Sequence, residues 1–318
     1  MRQLVNLLYN ENMKIYRRAR TWIMAALLIL ILGAGVAISW FDSGRHLQGD
    51  DWRTTVEQQL DSYQSIINDE QTDSSFLTYA QEQATLLQYQ LDQNIRPVNA
   101  TMWGAIIDMT GLVFLVTLFV VIIAGDSIAS EFSTGTIKLL LIRPASRSKI
   151  LVSKYAAALL FGVFLLLLLF LFSLLISGGF YGFSGFTQPY VTLTADGAIA
   201  EKNMIVHIWG IYLANTVSTI MYVTMSFMIS AVFRSSAMAI GISIFAMMSG
   251  QVITMVLSRY EWSKYLLFAN LDLMQYSSGG QPFQEGMTLG FSIAVLLGYF
   301  IIFNVLSWLV FTKKDVTA

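Results

Sequence analysis

The sequence predicts an all-α, polytopic membrane protein with six transmembrane helices. Only 12% of its 318 residues are charged and 55% are hydrophobic, whereas a soluble domain has about 25% charged residues. Six apolar runs are each long enough to cross a bilayer as a helix, at 22–40, 103–124, 155–177, 207–232, 237–257 and 289–311. The net charge of −1 argues against nucleic acid as a partner, and the absence of Cys from the sequence excludes disulfides and thiolate metal sites.

Residues 1–21 are predicted to form an amphipathic elbow helix ahead of the first span. Leu4, Leu8 and Ile15 fall near one face, and basic residues gather at the end of the segment. Such a helix lies in the headgroup layer and meets anionic lipid. It serves either as a topological anchor or as an elbow that also contacts a cytoplasmic partner. The basic residues are Lys14, Arg17, Arg18 and Arg20.

The segment 41–102 is predicted to be an external helical hairpin. Its first apolar stripe, from Val56 to Ile67, has helical spacing, and a second stripe runs from Leu77 to Ile95. Between the stripes lies a polar run rich in turn and N-cap residues, at 68–75. Because both stripes are narrow, we expect the hairpin to pack on itself or on a second copy of the chain.

The segment 125–154, between the second and third spans, carries the most informative motif. Asp126 and Glu131 come before a predicted helix break at 133–135, and Pro144 ends a second short amphipathic piece. Basic residues then lead into the third span. The alternative is a plain positively charged segment that fixes the topology.

Two further loops are predicted on the outer side. The segment 178–206 is rich in glycine and aromatic residues and is expected to be an interfacial loop. The segment 258–288 is too apolar for a free loop and too short to span twice. A pair of re-entrant helices fits it, provided that protein buries the turn between them. A flat amphipathic helix on the outer surface is the alternative.

The distribution of basic residues predicts the orientation. Thirteen of the 19 Lys and Arg residues lie on the side of the termini, and the positive-inside rule therefore places both termini in the cytoplasm. The last seven residues, 312–318, form a cytoplasmic tail on this interpretation.

The segment 125–154 resembles the matching loop in the permease subunits of the ATP-binding cassette type-2 export family. In that family an acidic residue, a Gly-Thr pair, two leucines and a Pro followed by Ser-Arg recur after the second span. The order of elbow, six spans and re-entrant loop is also similar. The matching residues are Glu131, Gly135, Thr136, Leu139, Leu140, Pro144, Ser146, Arg147 and Lys149.

The resemblance implies a bacterial plasma-membrane permease that pairs with a second copy or a paralogue. Two cytoplasmic nucleotide-binding ATPase subunits would bind ATP and Mg, so this chain itself is expected to hold no cofactor and to be no enzyme. The sequence is consistent with an ATPase on another chain, because it has no Gly-Lys dipeptide and hence no phosphate-binding loop of the P-loop type. The residues implied in coupling to the ATPase are Asp126, Glu131, Gly135, Thr136, Pro144, Arg147 and Lys149.

Polar side chains inside the predicted spans are candidates for a translocation pathway. We select Asn215 and Thr219 in the fourth span, with Met247 and Gln251 in the fifth. Methionine walls adapt to varied ligands, and by analogy the substrate is amphipathic or lipid-like: an antimicrobial peptide, an antibiotic or a lipid. Simple helix packing is the alternative role for the hydroxyl groups.

Two other functions remain open at the level of sequence. An ion-coupled secondary transporter would need charged residues deep in its spans, and Asp108 is the only clear carboxylate within a predicted span. A non-transporting sensor or immunity subunit would use the external hairpin as its receptor. The sequence does not distinguish this second alternative from export.

Overall fold

Helices dominate the computed structural model, which describes residues 2–44, 52–69, 73–137, 145–183, 185, 187–194, 197–277 and 282–313. The α-helices that it describes are α1 (Arg2–Tyr16), α2 (Ala19–Ser39), α3 (Trp52–Ile67), α4 (Ser74–Asp92), α5 (Met102–Met109), α6 (Val113–Ser133), α7 (Arg147–Tyr181), α8 (Met204–Val232), α9 (Ser236–Leu257) and α10 (Leu289–Lys313). The strands are β1 (Pro189–Leu193) and β2 (Ile199–Asn203).

The six predicted spans are confirmed as helices that are long and apolar enough to cross a membrane. They are α2, the pair α5 and α6, α7, α8, α9 and α10. A 3₁₀ turn at Thr110–Leu112 joins α5 to α6, so these two helices form one span, Met102–Ser133. One apolar core lies among α2, α5, α6, α7 and α8, and a second lies among α6, α8, α9 and α10. The chain is therefore an all-α, multi-span membrane protein.

The second and third spans are longer than the sequence predicts. The second was expected to end at 124, but α6 continues to Ser133. The third was expected to begin at 155, but α7 begins at Arg147, after Ser146, whose hydroxyl accepts the backbone N–H of Lys149 at 3.4 Å. The prediction ended each span where charged residues begin. Tertiary ion pairs satisfy those charges and let both helices continue, so the connection between them shortens to 134–146.

The helical hairpin is confirmed and packs on itself. Trp52, Val56 and Leu60 of α3 are buried in one cluster with Leu87 of α4. These residues come from the two stripes that the sequence predicts or lie beside them. The hairpin also touches the sheet, because the Tyr89 hydroxyl donates to Glu201 at 3.0 Å.

The loop at 178–206 contains a structure that the sequence prediction missed. Strands β1 and β2 pair antiparallel, with Pro189 opposite Asn203 and Leu193 opposite Ile199. Strand β1 is rich in β-branched and aromatic residues, which favour strands. The Gly and aromatic content of the neighbouring residues hid this signal.

The segment between α9 and α10 differs from the predicted pair of re-entrant helices. It contains three 3₁₀ helices, Glu261–Tyr265, Phe268–Asn270 and Leu273–Tyr276, and residues 278–281 of the prediction lie outside the described part. The expected burial by protein is confirmed, because Asn270 and Leu271 are buried. Short polar side chains cap backbone groups here and favour tight turns over α-helix.

Candidate functional site

A cluster of ion pairs ties the elbow helix α1 to the ends of three spans. We call it the elbow network and define it by Glu11, Lys14, Arg18, Arg20, Asp126, Glu131 and Lys154. We call the end of the bundle that carries this network the elbow end. Apolar contacts support the same docking, since the Tyr16 ring packs edge-on against Phe161 and Phe164 of α7, with centroids 6.1 and 5.4 Å away.

Glu131 lies at the centre of the network, on the last turn of α6. Its Oε1 accepts from Lys14 Nζ at 3.2 Å and from Lys154 Nζ at 3.0 Å. Its Oε2 accepts from the Thr136 hydroxyl. Gly135 makes this last contact geometrically accessible: its φ of 71° ends the helix with a left-handed residue and turns the chain back. The Glu-x-x-x-Gly-Thr motif therefore folds onto itself as a helix cap.

Lys154 and Glu11 are network residues that the sequence analysis did not select. The Lys154 side chain is only 3% exposed, and its Nζ lies 2.9 Å from Glu11 Oε2 as well as 3.0 Å from Glu131. A Lys two turns inside a membrane-spanning helix is a signal that could have identified it, since such charges are rare and paired. Burial of an ammonium is costly unless carboxylates compensate it, which the two Glu do.

Asp126 joins the start of the first span to α6 and α9. It is 6% exposed, and its Oδ2 accepts from Arg18 at 2.8 Å and from Arg20. Its Oδ1 accepts from the hydroxyl of Ser236, the first residue of α9. These contacts lie inside the protein, so Asp126 holds α6 against the start of α2 and the start of α9 at the elbow end.

Glu11 and Lys14 lie on α1, outside the spans, and the pKa of each is shifted from its usual value. Burial raises the pKa of Glu11, but Lys154 and Lys14 outweigh it, and the net pKa is lowered. Burial lowers the pKa of Lys14, but Glu11 and Glu131 outweigh it, and the net pKa is raised. Both shifts favour the charged forms, so Glu11 and Lys14 stay ionised at neutral pH.

The remaining predicted coupling residues lie on or near the surface of the elbow end. Arg147 donates to the Thr312 carbonyl at 2.9 Å, which ties α7 to the end of α10. Lys149 is exposed and donates to Gln3 at 3.1 Å. Arg17 is exposed. Pro144 lies outside the described residues, and the coupling role of all these residues stays a prediction.

Three of the four candidate pathway residues line one cavity of about 360 Å³, which we call the polar cavity. Asn215 of α8 and Met247 and Gln251 of α9 border it, together with Ser218 and Asp272, which the sequence analysis did not select. Ligand pockets in proteins typically measure about 300–1,000 Å³ and combine apolar walls with a few polar groups. The cavity fits that description, since Val113, Phe114 and Leu273 supply apolar walls.

The fourth candidate, Thr219, serves helix packing beside that cavity. Its hydroxyl lies 2.9 Å from the hydroxyl of Thr117 on α6. Further along the same contact, Ser226 donates to the Val121 carbonyl at 2.8 Å, and the Ser230 oxygen accepts the Ala129 N–H at 3.0 Å. Buried hydroxyls thus join α6 to α8 from the polar cavity to the elbow network.

Comparisons with known proteins give the chain a family and two relatives. The model of the family described as "Protein of unknown function (DUF2705)" matches residues 66–317. The chain is 40% identical over 317 residues to the uncharacterized protein YhcI of Bacillus subtilis (strain 168), covering 98% of this chain and 99% of the relative. It is 31% identical over 204 residues to the uncharacterized membrane protein YdbK of the same organism, covering 64% of this chain and 78% of the relative.

Proposed function

The chain belongs to the DUF2705 family of proteins of unknown function, and we propose that it is the transmembrane permease subunit of an ATP-driven exporter. A separate cytoplasmic nucleotide-binding subunit, which binds ATP and Mg, would drive it. The proposal also includes a second permease copy or paralogue and a bacterial plasma membrane, with both termini cytoplasmic.

The observation that carries the proposal is the elbow network. It fastens an amphipathic helix that lies beside the bundle to the end of α6 and the start of α7. Asp126 of the same network also accepts a hydrogen bond from Ser236 at the start of α9. Residues 134–137, which begin the connection between α6 and α7, start at the centre of this network, where Thr136 donates to Glu131. A partner that seats on that connection would therefore move several spans together.

The packing of α6 offers a path from the elbow end to the polar cavity. Asp126 and Glu131 of α6 hold the network, while Val113 and Thr117 of the same helix line the cavity. From Thr117 to Asp126 the helix rises about 14 Å, at about 1.5 Å per residue. Because α6 is hydrogen-bonded to α8 along this stretch, we expect the two helices to shift as a pair when the elbow end is displaced.

The polar cavity is the proposed binding place for the exported molecule. Asn215, Ser218 and Gln251 can hydrogen-bond a polar group, and Met247 and Phe114 can cover an apolar part. An amphipathic or lipid-like substrate, such as an antimicrobial peptide, an antibiotic or a lipid, has both parts.

The experiment that tests this function is co-purification with candidate nucleotide-binding ATPase subunits. The full chain carries an affinity tag, and the amount of co-eluting ATPase is measured for wild type, Lys149→Glu and Lys264→Glu. Lys149 is exposed at the elbow end, whereas Lys264 lies in the segment between α9 and α10. We expect Lys149→Glu alone to reduce the co-eluting ATPase. If none of the candidate ATPase subunits elutes with the wild type, the proposal fails.

A further inference from the structure

The lining of the polar cavity contains one carboxylate. Among the described residues that line it, Asp272 is the only one of the acidic and basic types Asp, Glu, His, Lys and Arg. Its Oδ1 accepts the backbone N–H of Met274 at 2.9 Å and so caps the 3₁₀ helix Leu273–Tyr276. The side chain is exposed, and none of the ion pairs in the described part of the chain involves it. The cavity therefore carries a negative charge without a basic partner in its wall.

Two hydroxyl groups of the lining donate their protons to backbone carbonyls. Thr110 donates to the carbonyl of Ile107 at 2.6 Å, and Ser218 donates to the carbonyl of Leu271. A hydroxyl group has one proton and two lone pairs. Each of these oxygens is therefore left to accept a hydrogen bond from a molecule in the cavity.

Thr117 and Asn215, which also line the cavity, show the same bias. Thr219 donates to the Asn215 carbonyl at 2.9 Å, so Thr117 is the donor in the 2.9 Å contact between the two threonine hydroxyls. The side-chain Nδ2 of Asn215 donates to the Ile211 carbonyl at 3.0 Å, which leaves its Oδ1 as an acceptor. The polar groups of the lining thus offer mainly acceptor oxygens.

Aromatic and thioether side chains form the rest of this lining. Phe114, which is 55% exposed, and Tyr222 border the cavity, and aromatic ring faces attract cations. Met247 and Met274 add flexible apolar surface that adapts to the shape of a ligand.

We propose that the polar cavity selects a cation with N–H donors, a protonated amine or a guanidinium, carried on an apolar body. The N–H groups meet the Asp272 carboxylate and the acceptor oxygens of Asn215 and Ser218, while the apolar body meets Phe114 and Met247. An anion would be repelled by the carboxylate, and a neutral molecule would leave it unpaired. The inference names a substrate class for the proposed export and rests on that function.

Three fluorescent probes that share one dansyl group and one five-carbon chain test the proposal. The chain ends in an ammonium group, in a trimethylammonium group or in a carboxylate. Each probe is titrated into the purified full-length protein in non-ionic detergent, and the signal of detergent alone is subtracted. We expect the ammonium probe to bind at least about fivefold more tightly than the carboxylate probe. The trimethylammonium probe should bind more weakly than the ammonium probe, because it has the charge but no N–H at that end.

Asp272→Asn removes the charge and keeps the helix cap, since Asn is about as good an N-cap as Asp. It should weaken binding of the ammonium probe about fivefold and remove the preference over the carboxylate probe. Glu261→Gln is the matched control, an exposed acid of the same segment that does not line the cavity. A Cβ at Gly111 of the lining meets no heavy atom within 4 Å, and the same holds for Gly241 on α9. Gly111→Phe should therefore block the cavity and abolish binding, whereas Gly241→Phe should leave it unchanged.

The outcome is independent of the co-purification experiment, because the probes bind the chain without an ATPase. If the ammonium probe binds as expected but no ATPase subunit elutes with the chain, the export function fails and the cation site stands. The proposal is overturned if the carboxylate or trimethylammonium probe binds as tightly as the ammonium probe. It is also overturned if Asp272→Asn acts like Glu261→Gln, or if Gly111→Phe binds the ammonium probe like wild type.

Discussion

Two lysines of α7 lie five residues apart and have opposite surroundings. Lys149 is exposed on the first turn, whereas Lys154 is buried between Glu11 and Glu131. Both lysines contact α1, but Lys154 lies between α1 and α6, whereas Lys149 reaches Gln3 at the exposed start of α1. Residue type alone therefore does not determine what each lysine contributes.

Replacing Lys154 by Met should destabilise the protein strongly. The substitution leaves Glu11 and Glu131 with one cation fewer in a largely buried place, and breaking a buried pair costs about 3–5 kcal/mol. The measurement is thermal or denaturant unfolding of the purified protein. Lys149→Met on the same helix is the control and should change the free energy of unfolding by less than about 0.5 kcal/mol. Equal effects of the two substitutions would contradict the claim that the buried ion pairs of Lys154 stabilise the elbow network.

Gly135→Ala tests the folding of the Glu-x-x-x-Gly-Thr motif. Gly135 has a φ of 71°, a conformation that costs a residue with a Cβ about 1–2 kcal/mol. We expect a lower unfolding temperature and a weakened contact between Thr136 and Glu131. Gly241→Ala, inside α9 with open space at its Cβ, should raise or maintain that temperature. A Gly135→Ala protein as stable as wild type would show that the left-handed cap is dispensable.

At the level of residues, local motifs could be predicted and long-range pairs could not. Glu131, Gly135 and Thr136 stand close in sequence, so their pattern was visible as a helix end. Glu11 and Lys154 are 143 residues apart, and their contact depends on how α1 docks on α7. Helical spacing shows which face of each helix is apolar, but it does not show which other helix packs against that face.

Among the elements, α1 shows how an amphipathic face finds a partner. The sequence predicts a helix in the headgroup layer. In the structure one face of it, including Leu4, Leu8 and Ile15, is half-buried, and Tyr16 on the same side meets α7. The basic end of the segment then turns into α2 at Arg17 and Arg18. Its charges pair with acids of α6, so the elbow is held by protein contacts as well as by any lipid.

The docking of α1 should depend on pH at both extremes. The pKa of Glu11 is lowered on folding, so its contribution to stability is present above about pH 4.5 and is lost as pH falls through the lowered pKa. The pKa of Lys14 is raised, so its contribution is present below about pH 10.5 and is lost as pH rises through the raised pKa.

Unfolding of wild type and Glu11→Gln as a function of pH measures this contribution. We expect Glu11→Gln to be less stable at pH 7, and the difference in unfolding temperature to shrink steadily below about pH 4.5. Glu57→Gln, at an exposed position of α3, is the control and should show a small difference throughout. A Glu11→Gln difference that stays constant down to pH 3 would contradict the ion-pair account.

Elements with strong periodicity were predicted, and elements fixed by tertiary contacts were not. The spans and the hairpin helices α3 and α4 follow from apolar runs and stripes. Strands β1 and β2 are five residues each, and their partner is only identified once the chain folds back. The 3₁₀ helices before α10 likewise depend on burial against α8 and α9, where Ser218 donates to the Leu271 carbonyl.

At the scale of the whole molecule, polar groups separate into two places. The elbow network gathers seven charged side chains at one end, and the polar cavity lies nearer the other. Helix α6 runs between them. Asp108, the carboxylate that the sequence places within a span, is exposed. This arrangement supports a permease moved from its elbow end more than a carrier driven by titration of a deep carboxylate.

The most direct test of the central claim is the rate of ATP hydrolysis by a co-purifying nucleotide-binding subunit, measured with and without the full chain in lipid nanodiscs. The account predicts that the chain binds the ATPase and changes its rate, and that Lys154→Met uncouples the two by loosening α1 from α6 and α7. An ATPase rate that is the same with and without this chain, across all candidate subunits, would contradict the claim that a separate motor drives it.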